Sequence, residues 1–380
     1  MINFFNQLNN LVNYQSLPID KKNITFYSEN RSYWIYFSEI IKEILKNHSI
    51  NLCYISSDKQ DPGLKIKSDK FNAFYIQSES IRNWMFQNMN TSILVMTMPD
   101  LNNFQIKKSK KNVYYVYIQH SMVSSHMIYR SRAFDNFDCI FCAGPHQLNE
   151  IQQTEKIYKL KKKKLIKHGY SRLDYLIKNK PLSANKKKLK HILMAPTWGQ
   201  NGIIETKIIF NFIEEILSKY ELTLRPHPMT FRKNKKIIEI IEKRYSIYKN
   251  FKIESDISSS NSLETSDLMI SDWSGVALEY YFAYKKPVLF LDTVKKVNNP
   301  EYSRINLDPI EISIRQKIGL IANPNNLDEI INKIEILLST DHLANENPDK
   351  YIYNIGKSDE IASKTLFDLF TSLKKNVQNT

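Results

Sequence analysis

Two α/β units in tandem, each built on a mostly parallel sheet and facing each other across a cleft, are the fold class this sequence predicts. Three observations carry the prediction. Short runs rich in Ile, Val, Tyr and Phe alternate with longer amphipathic stretches, the pattern of βα units. The alternation starts afresh in the second half, and 380 residues suit two domains of roughly 190 each, both large enough to bury a core. Glycine is scarce, 8 in the whole chain, where roughly 7% is usual, and Gly144, Gly169, Gly199, Gly202 and Gly275 all fall near expected strand ends. The units are expected at 1–185 and 186–357, with a helix over 358–380 that crosses back onto the first.

The first unit's strands are expected at Ile24–Tyr27, Asn51–Ile55, Ala73–Ile76, Ile93–Met96, Val113–Ile118 and Cys139–Cys142, with helical spacing in Tyr33–Leu45 and Pro145–Gln153. The second unit's are expected at His191–Ala195, Leu222–Leu224, Phe251–Glu254, Leu268–Ile270 and Val288–Leu291. The helix over Lys207–Leu217 is the clearest, because Ile208, Ile209, Phe212, Ile213, Ile216 and Leu217 share one face. Ser358–Leu373 has the spacing of an amphipathic helix, with Ser358 as its N-cap.

Composition excludes several classes. Charged residues make up 24% of the chain, and no apolar run approaches the roughly 20 residues that cross a bilayer, so neither a disordered nor an integral membrane protein is expected. The opening MINFFNQLNN lacks the basic, apolar and small-residue parts of a secretory signal, which points to the cytoplasm. Cys53, Cys139 and Cys142 are too few for a disulfide framework, and Cys139 and Cys142 sit in an apolar strand, which makes them core.

The net charge of +15 is concentrated: Lys156 to Lys190 holds 13 Lys and one Arg against one Asp. A solvated linker is one reading of this segment. Another is attraction to an anionic membrane, where each lysine near the surface contributes about 1 kcal/mol. Nucleic acid is not expected, because the interleaved aromatic residues of an RNA-binding strand are absent.

Four segments place reactive residues just after expected strands, the edge where open α/β sheets bind ligands. His120 ends the first, with Ser121, Ser124 and His126 close behind. Thr197 lies in the second, Pro196-Thr197-Trp198-Gly199, where backbone amides can approach a phosphate. In the third, Arg225-Pro226-His227-Pro228, two prolines stiffen a loop that offers an arginine and a histidine to an anion. The fourth runs from Ser271 to Glu279. Ser271, Asp272 and Ser274 are N-cap candidates for a helix starting near Gly275, whose free amides make an anion site, and Glu279 lies one turn on, where its carboxylate suits a ribose diol.

In order and approximate spacing these segments resemble the CDP-glycerol glycerophosphotransferase family of teichoic-acid and capsule enzymes. The likeness runs from about residue 113 to 295, and its most specific part is the pair Arg-Pro-His-Pro and Ser-Asp-Trp-Ser, about 45 residues apart. His168-Gly169-Tyr170-Ser171-Arg172-Leu173-Asp174 is similar to the family's Gly-x-Pro-Arg-x-Asp segment, with Ser171 in place of the proline. Where the family has His-Gly-x-Pro, this chain has His120-Ser-Met-Val, a departure on the acceptor side.

The resemblance implies a GT-B fold of two Rossmann-like domains, the first taking the acceptor and the second the nucleotide donor, with no metal and no cofactor beyond a CDP- or CMP-linked donor substrate. His120 would be the base. Thr197, Arg225, His227, Ser271, Asp272, Ser274, Gly275 and Glu279 would bind the donor, with His227 working as a cation beside the pyrophosphate. Ser121, Ser124 and His126 would be the acceptor side, His126 being the other candidate for the base. The activity implied is transfer of glycerol phosphate or a related polyol phosphate to a surface glycan or lipid-linked acceptor, by a cytoplasmic enzyme that the basic segment holds at the membrane's inner face. The alternatives are a GT-B glycosyltransferase using a nucleotide-sugar, CMP-linked acidic sugars included, in capsule or lipopolysaccharide synthesis, and a non-catalytic polyanion-binding protein.

Overall fold

Strands buried on both faces need helices over each face, and that requirement sets the architecture here. The computed structural model describes the chain except Met1, Gln105, residues 181–188, Gln200, Asn201, Lys207, Ile257, Ser258, residues 340–345, Asn379 and Thr380. The domain boundary expected at 185–186, part of the basic segment and the expected helix start at Lys207 therefore lie outside the described residues.

The first sheet holds β1 (Ile24–Ser28), β2 (Leu52–Ser56), β3 (Phe71–Tyr75), β4 (Ile93–Met96), β5 (Tyr114–Ile118), β6 (Cys139–Cys142) and β7 (Lys164–Lys167), in the order β3-β2-β1-β4-β5-β6-β7. Around it lie α1 (Ile2–Ser16), α2 (Ser38–Asn47), α3 (Glu79–Asn88), α4 (Pro145–Ile157) and α5 (Ser171–Lys178).

The second sheet holds β8 (His191–Met194), β9 (Glu221–Leu224), β10 (Phe251–Ile253), β11 (Leu268–Ser271), β12 (Val288–Leu291) and β13 (Gly319–Ala322), in the order β10-β9-β8-β11-β12-β13. Its helices are α6 (Ile208–Lys219), α7 (Pro228–Lys233), α8 (Lys235–Tyr245), α9 (Asn261–Thr265), α10 (Val276–Tyr284), α11 (Ile310–Ser313), α12 (Arg315–Ile318) and α13 (Leu327–Ser339). The long α14 (Ser358–Gln378) closes the chain.

The paired strands are parallel in both sheets. Each sheet reverses its winding once, between β1 and β4 in the first and between β8 and β11 in the second. Such a reversal opens a crevice at the strands' carboxyl ends.

Two compact units result. The first is Met1–Tyr175 with Asn298–Leu307 and Asp349–Thr380, and the second is Leu176–Val297 with Asp308–Pro348. The first unit thus ends ahead of residue 185 and takes in a segment from the middle of the second half. Backbone pairing explains this: Asn298 and Asn299 donate their amides to Met127 O at 3.0 and 3.2 Å, and Asn299 Nδ2 donates to His126 O at 2.9 Å.

The returning C-terminal segment is fixed by two glycines. A Cβ on Gly144 would lie 1.8 Å from Tyr351 O, and Gly169, at φ +108°, leaves no room for one beside Tyr353 O. Tyr353 N then donates to Ala143 O at 2.9 Å. Asp174, in α5, finishes the anchor: Oδ1 accepts from Gly356 N (2.7 Å), and Oδ2 from Ser358 N (3.0 Å) and Ser358 Oγ (2.5 Å). The His168–Asp174 segment therefore holds the start of α14, and α14 packs on α2, where Phe367 stacks on His48 at 4.1 Å.

Candidate functional site

The richest cluster in the second unit lies where the winding of its sheet reverses. β8 runs into Ala195-Pro196-Thr197-Trp198-Gly199, and β11, its neighbour, runs into Asp272. Asp272 ties the two loops together. Its Oδ1 accepts from Thr197 N and Trp273 N, both at 2.7 Å, and its Oδ2 accepts from Thr197 Oγ1 at 2.9 Å. Burial pushes the Asp272 carboxyl up, and these three bonds oppose that. Ser271 Oγ adds a bond to Ala195 O at 2.8 Å. Gly199, at φ +127°, makes the turn that follows Trp198.

Two expectations are corrected here. Ser271 and Asp272 do not cap α10: the N-cap position is Gly275 and no side chain caps the helix there, because both side chains are committed to the β8 loop. Ser274 and Gly275 stand at the start of α10, and Glu279 lies inside it, 6% exposed.

Arg225 differs too. Its guanidinium turns to a buried carboxylate, Glu254 Oε2, at 2.6 Å, and to Ser259 O and Ser262 Oγ at 2.9 and 3.2 Å. At 5% exposure it braces the loop after β9.

His227, next along that loop, occupies the N-cap position of α7, where Nδ1 accepts the Met229 amide at 3.1 Å. The proton of the neutral ring is therefore on Nε2. Burial first, and Lys296 second, bring its pKa down to about 3. Taking a second proton would also cost the Met229 bond. In this arrangement the ring is a neutral Nε2–H donor.

Sequence reasoning passed over two residues of this cluster. Trp198 packs near His227 (ring centroids 6.0 Å apart), and the Lys296 ammonium lies 5.1 Å above the Trp198 ring. Lys296 comes from the loop after β12, another strand end, so the rule that found the other loops reaches it as well. In a chain so rich in lysine, composition hid it.

In the first unit His120 follows β5. Its backbone carbonyl accepts from Tyr36 Oη at 2.9 Å and Tyr170 Oη at 3.0 Å, while Nδ1 lies 2.9 Å from Tyr117 Oη. Burial raises the Tyr117 phenol well above its usual range, so that hydroxyl stays protonated. In the tautomer whose Nδ1–H donates to Tyr117, Nε2 is the nitrogen that can take a proton. The rings of Tyr33 and Tyr129 meet the imidazole edge-on.

His126 is placed differently. It is 4% exposed, its Nε2–H donates to Leu307 O at 3.2 Å, and its Nδ1 lies 3.3 Å from Glu150 Oε1. Glu150 Oε2 holds Ser125 N and Oγ at 2.5 and 2.7 Å. That network fastens Asn298–Leu307 to the loop, which gives His126 an architectural position. Ser124 is fully buried, whereas Ser121 is half-buried beside His120. A cavity of about 270 Å³ lies near His126, lined by Arg130, Asp135, Glu155, Tyr158, Lys163 and Glu301, but His120 is not part of it.

Two Rossmann-type parallel units, with polar groups gathered at the carboxyl ends of the strands, define an α/β protein of the GT-B-like class. The chain belongs to the CDP-glycerol:poly(glycerophosphate) glycerophosphotransferase family, whose model matches residues 10–296. It is an enzyme of the glycerophosphotransferase type.

Solved structures bear out the fold. The wall teichoic acid polymerase TagF soaked with CDPG superposes at TM-score 0.60, with 17% identity over 99% of this chain and 96% of that one. UDP-GlcNAc 2-epimerase of Methanocaldococcus jannaschii, in complex with UDP-GlcNAc and UDP, gives 0.59 at 14% identity over 91% and 99%. The corresponding enzyme of Rickettsia bellii gives 0.59 at 10% identity over 95% and 99%. No curated protein matches the chain.

Proposed function

We propose that the chain transfers glycerol phosphate, or a related polyol phosphate, from a CDP-activated donor to a hydroxyl of a surface glycan or lipid-linked acceptor. Membership of the glycerophosphotransferase family is the observation that carries this reading. The second unit binds the donor: backbone amides near Thr197 and at the start of α10, together with His227 Nε2–H, meet the diphosphate, and Glu279 serves the ribose. His120 is the acceptor's base.

The acceptor oxygen attacks the phosphorus that carries the polyol. A new O–P bond forms as the P–O bond to the nucleotide breaks; CMP leaves with the electron pair, and His120 Nε2 takes the acceptor's proton. Such a base typically contributes about 10²–10⁴-fold. Protein groups supply the counter-charge, and no metal or cofactor takes part; turnover that persists in excess EDTA supports this, and its loss refutes it. The basic segment around Lys161–Lys164 holds the enzyme at an anionic membrane surface.

The deciding experiment incubates the protein with CDP-, CMP- and UDP-linked donors and an acceptor and identifies the nucleotide released. CMP from CDP-glycerol, dependent on acceptor, is expected. Release from a nucleotide-sugar alone would move the reading to sugar transfer.

A further inference from the structure

With Arg225 committed to Glu254 and His227 neutral, the donor loops described so far offer a diphosphate hydrogen bonds but no full positive charge. Lys296 changes that balance. It is half-buried, its ammonium lies over the Trp198 ring, and among the described residues that ammonium has no hydrogen bond and no carboxylate within ion-pair distance. Asp272 and Glu205 attract it from further away, while desolvation works against its charge. A partly desolvated ammonium facing polar strand-end loops lacks the water that usually screens it, so an incoming anion gains more from it than from a surface lysine.

Its position is also built. Trp273, in the Ser-Asp-Trp-Ser stretch, donates Nε1–H to Thr293 O at 3.1 Å, which pins the loop three residues before Lys296. Arg315 stacks on Trp273 at 4.1 Å and holds the loop's first residue, with NH1 3.1 Å from Asp292 Oδ1, while NH2 bonds Leu291 O at 2.9 Å. A free surface lysine has no such support.

We infer that Lys296 is a phosphate-binding residue of the donor site, the cation that meets the diphosphate of a nucleoside-diphosphate donor, with Trp273 and Arg315 as its positioning residues. This rests on the reading that the second unit binds the donor.

The test is calorimetry on the full chain with CDP-glycerol, comparing wild type with Lys296→Met, Lys296→Arg, Trp273→Phe and the Met/Phe double variant, each checked for an unchanged melting temperature. Methionine keeps an apolar side chain of similar length and removes the charge, so it should weaken binding about tenfold or more and flatten its salt dependence; arginine should restore most of the affinity. Trp273→Phe should cause a smaller loss, and the double variant should bind no worse than Lys296→Met alone.

Wild-type affinity in Lys296→Met, or an arginine variant as weak as the methionine one, overturns the inference and leaves the proposed reaction standing. If wild type binds a UDP- but not a CDP-linked donor and Lys296→Met loses that binding, the reaction fails and the inference stands. A wild type that binds no nucleoside diphosphate overturns both.

Discussion

His227 shows how one backbone bond fixes a side chain's chemistry. Because Nδ1 receives the Met229 amide, a ring that keeps this bond is neutral and carries its single proton on Nε2. Glutamine places an amide nitrogen near the Nε2 position, so His227→Gln should hold CDP-glycerol within a few-fold of wild type, whereas His227→Ala should lose about tenfold, a hydrogen bond to a charged group. The diphosphate of CDP-glycerol does not titrate between pH 5 and 8, so calorimetry across that range isolates the protein. Affinity that rises as pH falls, and stops doing so in His227→Gln, would return the cation to the mechanism.

The same low pKa has a stability consequence. Burial brings His168 to about 4 and His227 to about 3, while in the unfolded chain both titrate near 6.5. Between those values the unfolded state binds more protons, so stability rises with pH, is fully present above about 6.5, and is lost progressively on acidification. Chemical denaturation at pH 4.5 and pH 7 should show it, and His168→Gln should make the difference smaller. An unchanged difference would mean that His168 is protonated in the folded protein.

At the scale of elements, the Asp174 anchor makes a separable prediction. Its carboxylate takes three donors at the start of α14, and removing a shared acceptor leaves those groups without it. Asp174→Ala should destabilise the protein by about 1–3 kcal/mol and loosen the C-terminal helix to protease, with CDP-glycerol affinity unchanged. Equal loss of donor binding would give this segment a direct role at the donor.

The elements also show what a sequence makes legible. β4, β6 and β12 stand where their apolar runs begin and end, because a strand buried on both faces has no other way to be written. β7 was not legible: Lys164 and Lys167 are exposed on an edge strand with Leu165 and Ile166 half-buried between them, so its pattern merges with the lysine run. Lysines at an edge discourage pairing with other chains.

β13 was missed because it opens on Gly319, a residue depleted in strands, yet a Cβ there would lie 1.8 Å from Val288 O. The expected helix over Tyr33–Leu45 divides into a 3-10 turn at Arg31–Tyr36 and α2, and Tyr36 Oη in that turn holds the His120 carbonyl. The site was legible in its loops and not in its hydrogen bonds: Asp272 meets Thr197, and Arg225 meets Glu254, only after neighbouring strands align, and no spacing encodes that.

For the whole molecule the open quantity is charge. The chain carries net +15, the lysine segment is where that charge is densest, and among the described residues no helix is long and apolar enough to cross a membrane. Its lysines are not equivalent. Lys163 is held by Glu155, its amide at 2.9 Å and its ammonium at 3.5 Å from Oε1, whereas Lys161, Lys162 and Lys164 are exposed. A test of membrane attraction should therefore spare Lys163.

With Lys161, Lys162 and Lys164 changed to glutamine, binding to vesicles containing phosphatidylglycerol should fall. At about 1 kcal/mol for each lysine near the surface, the loss is on the order of 100-fold. Wild-type binding should itself weaken steeply with salt, since the surface potential is screened over about 8 Å at physiological ionic strength. Turnover with a soluble acceptor should be equal in the two proteins, because all three side chains are exposed. Equal vesicle binding by wild type and variant would refute membrane attraction by these lysines and leave them as protection of an edge strand.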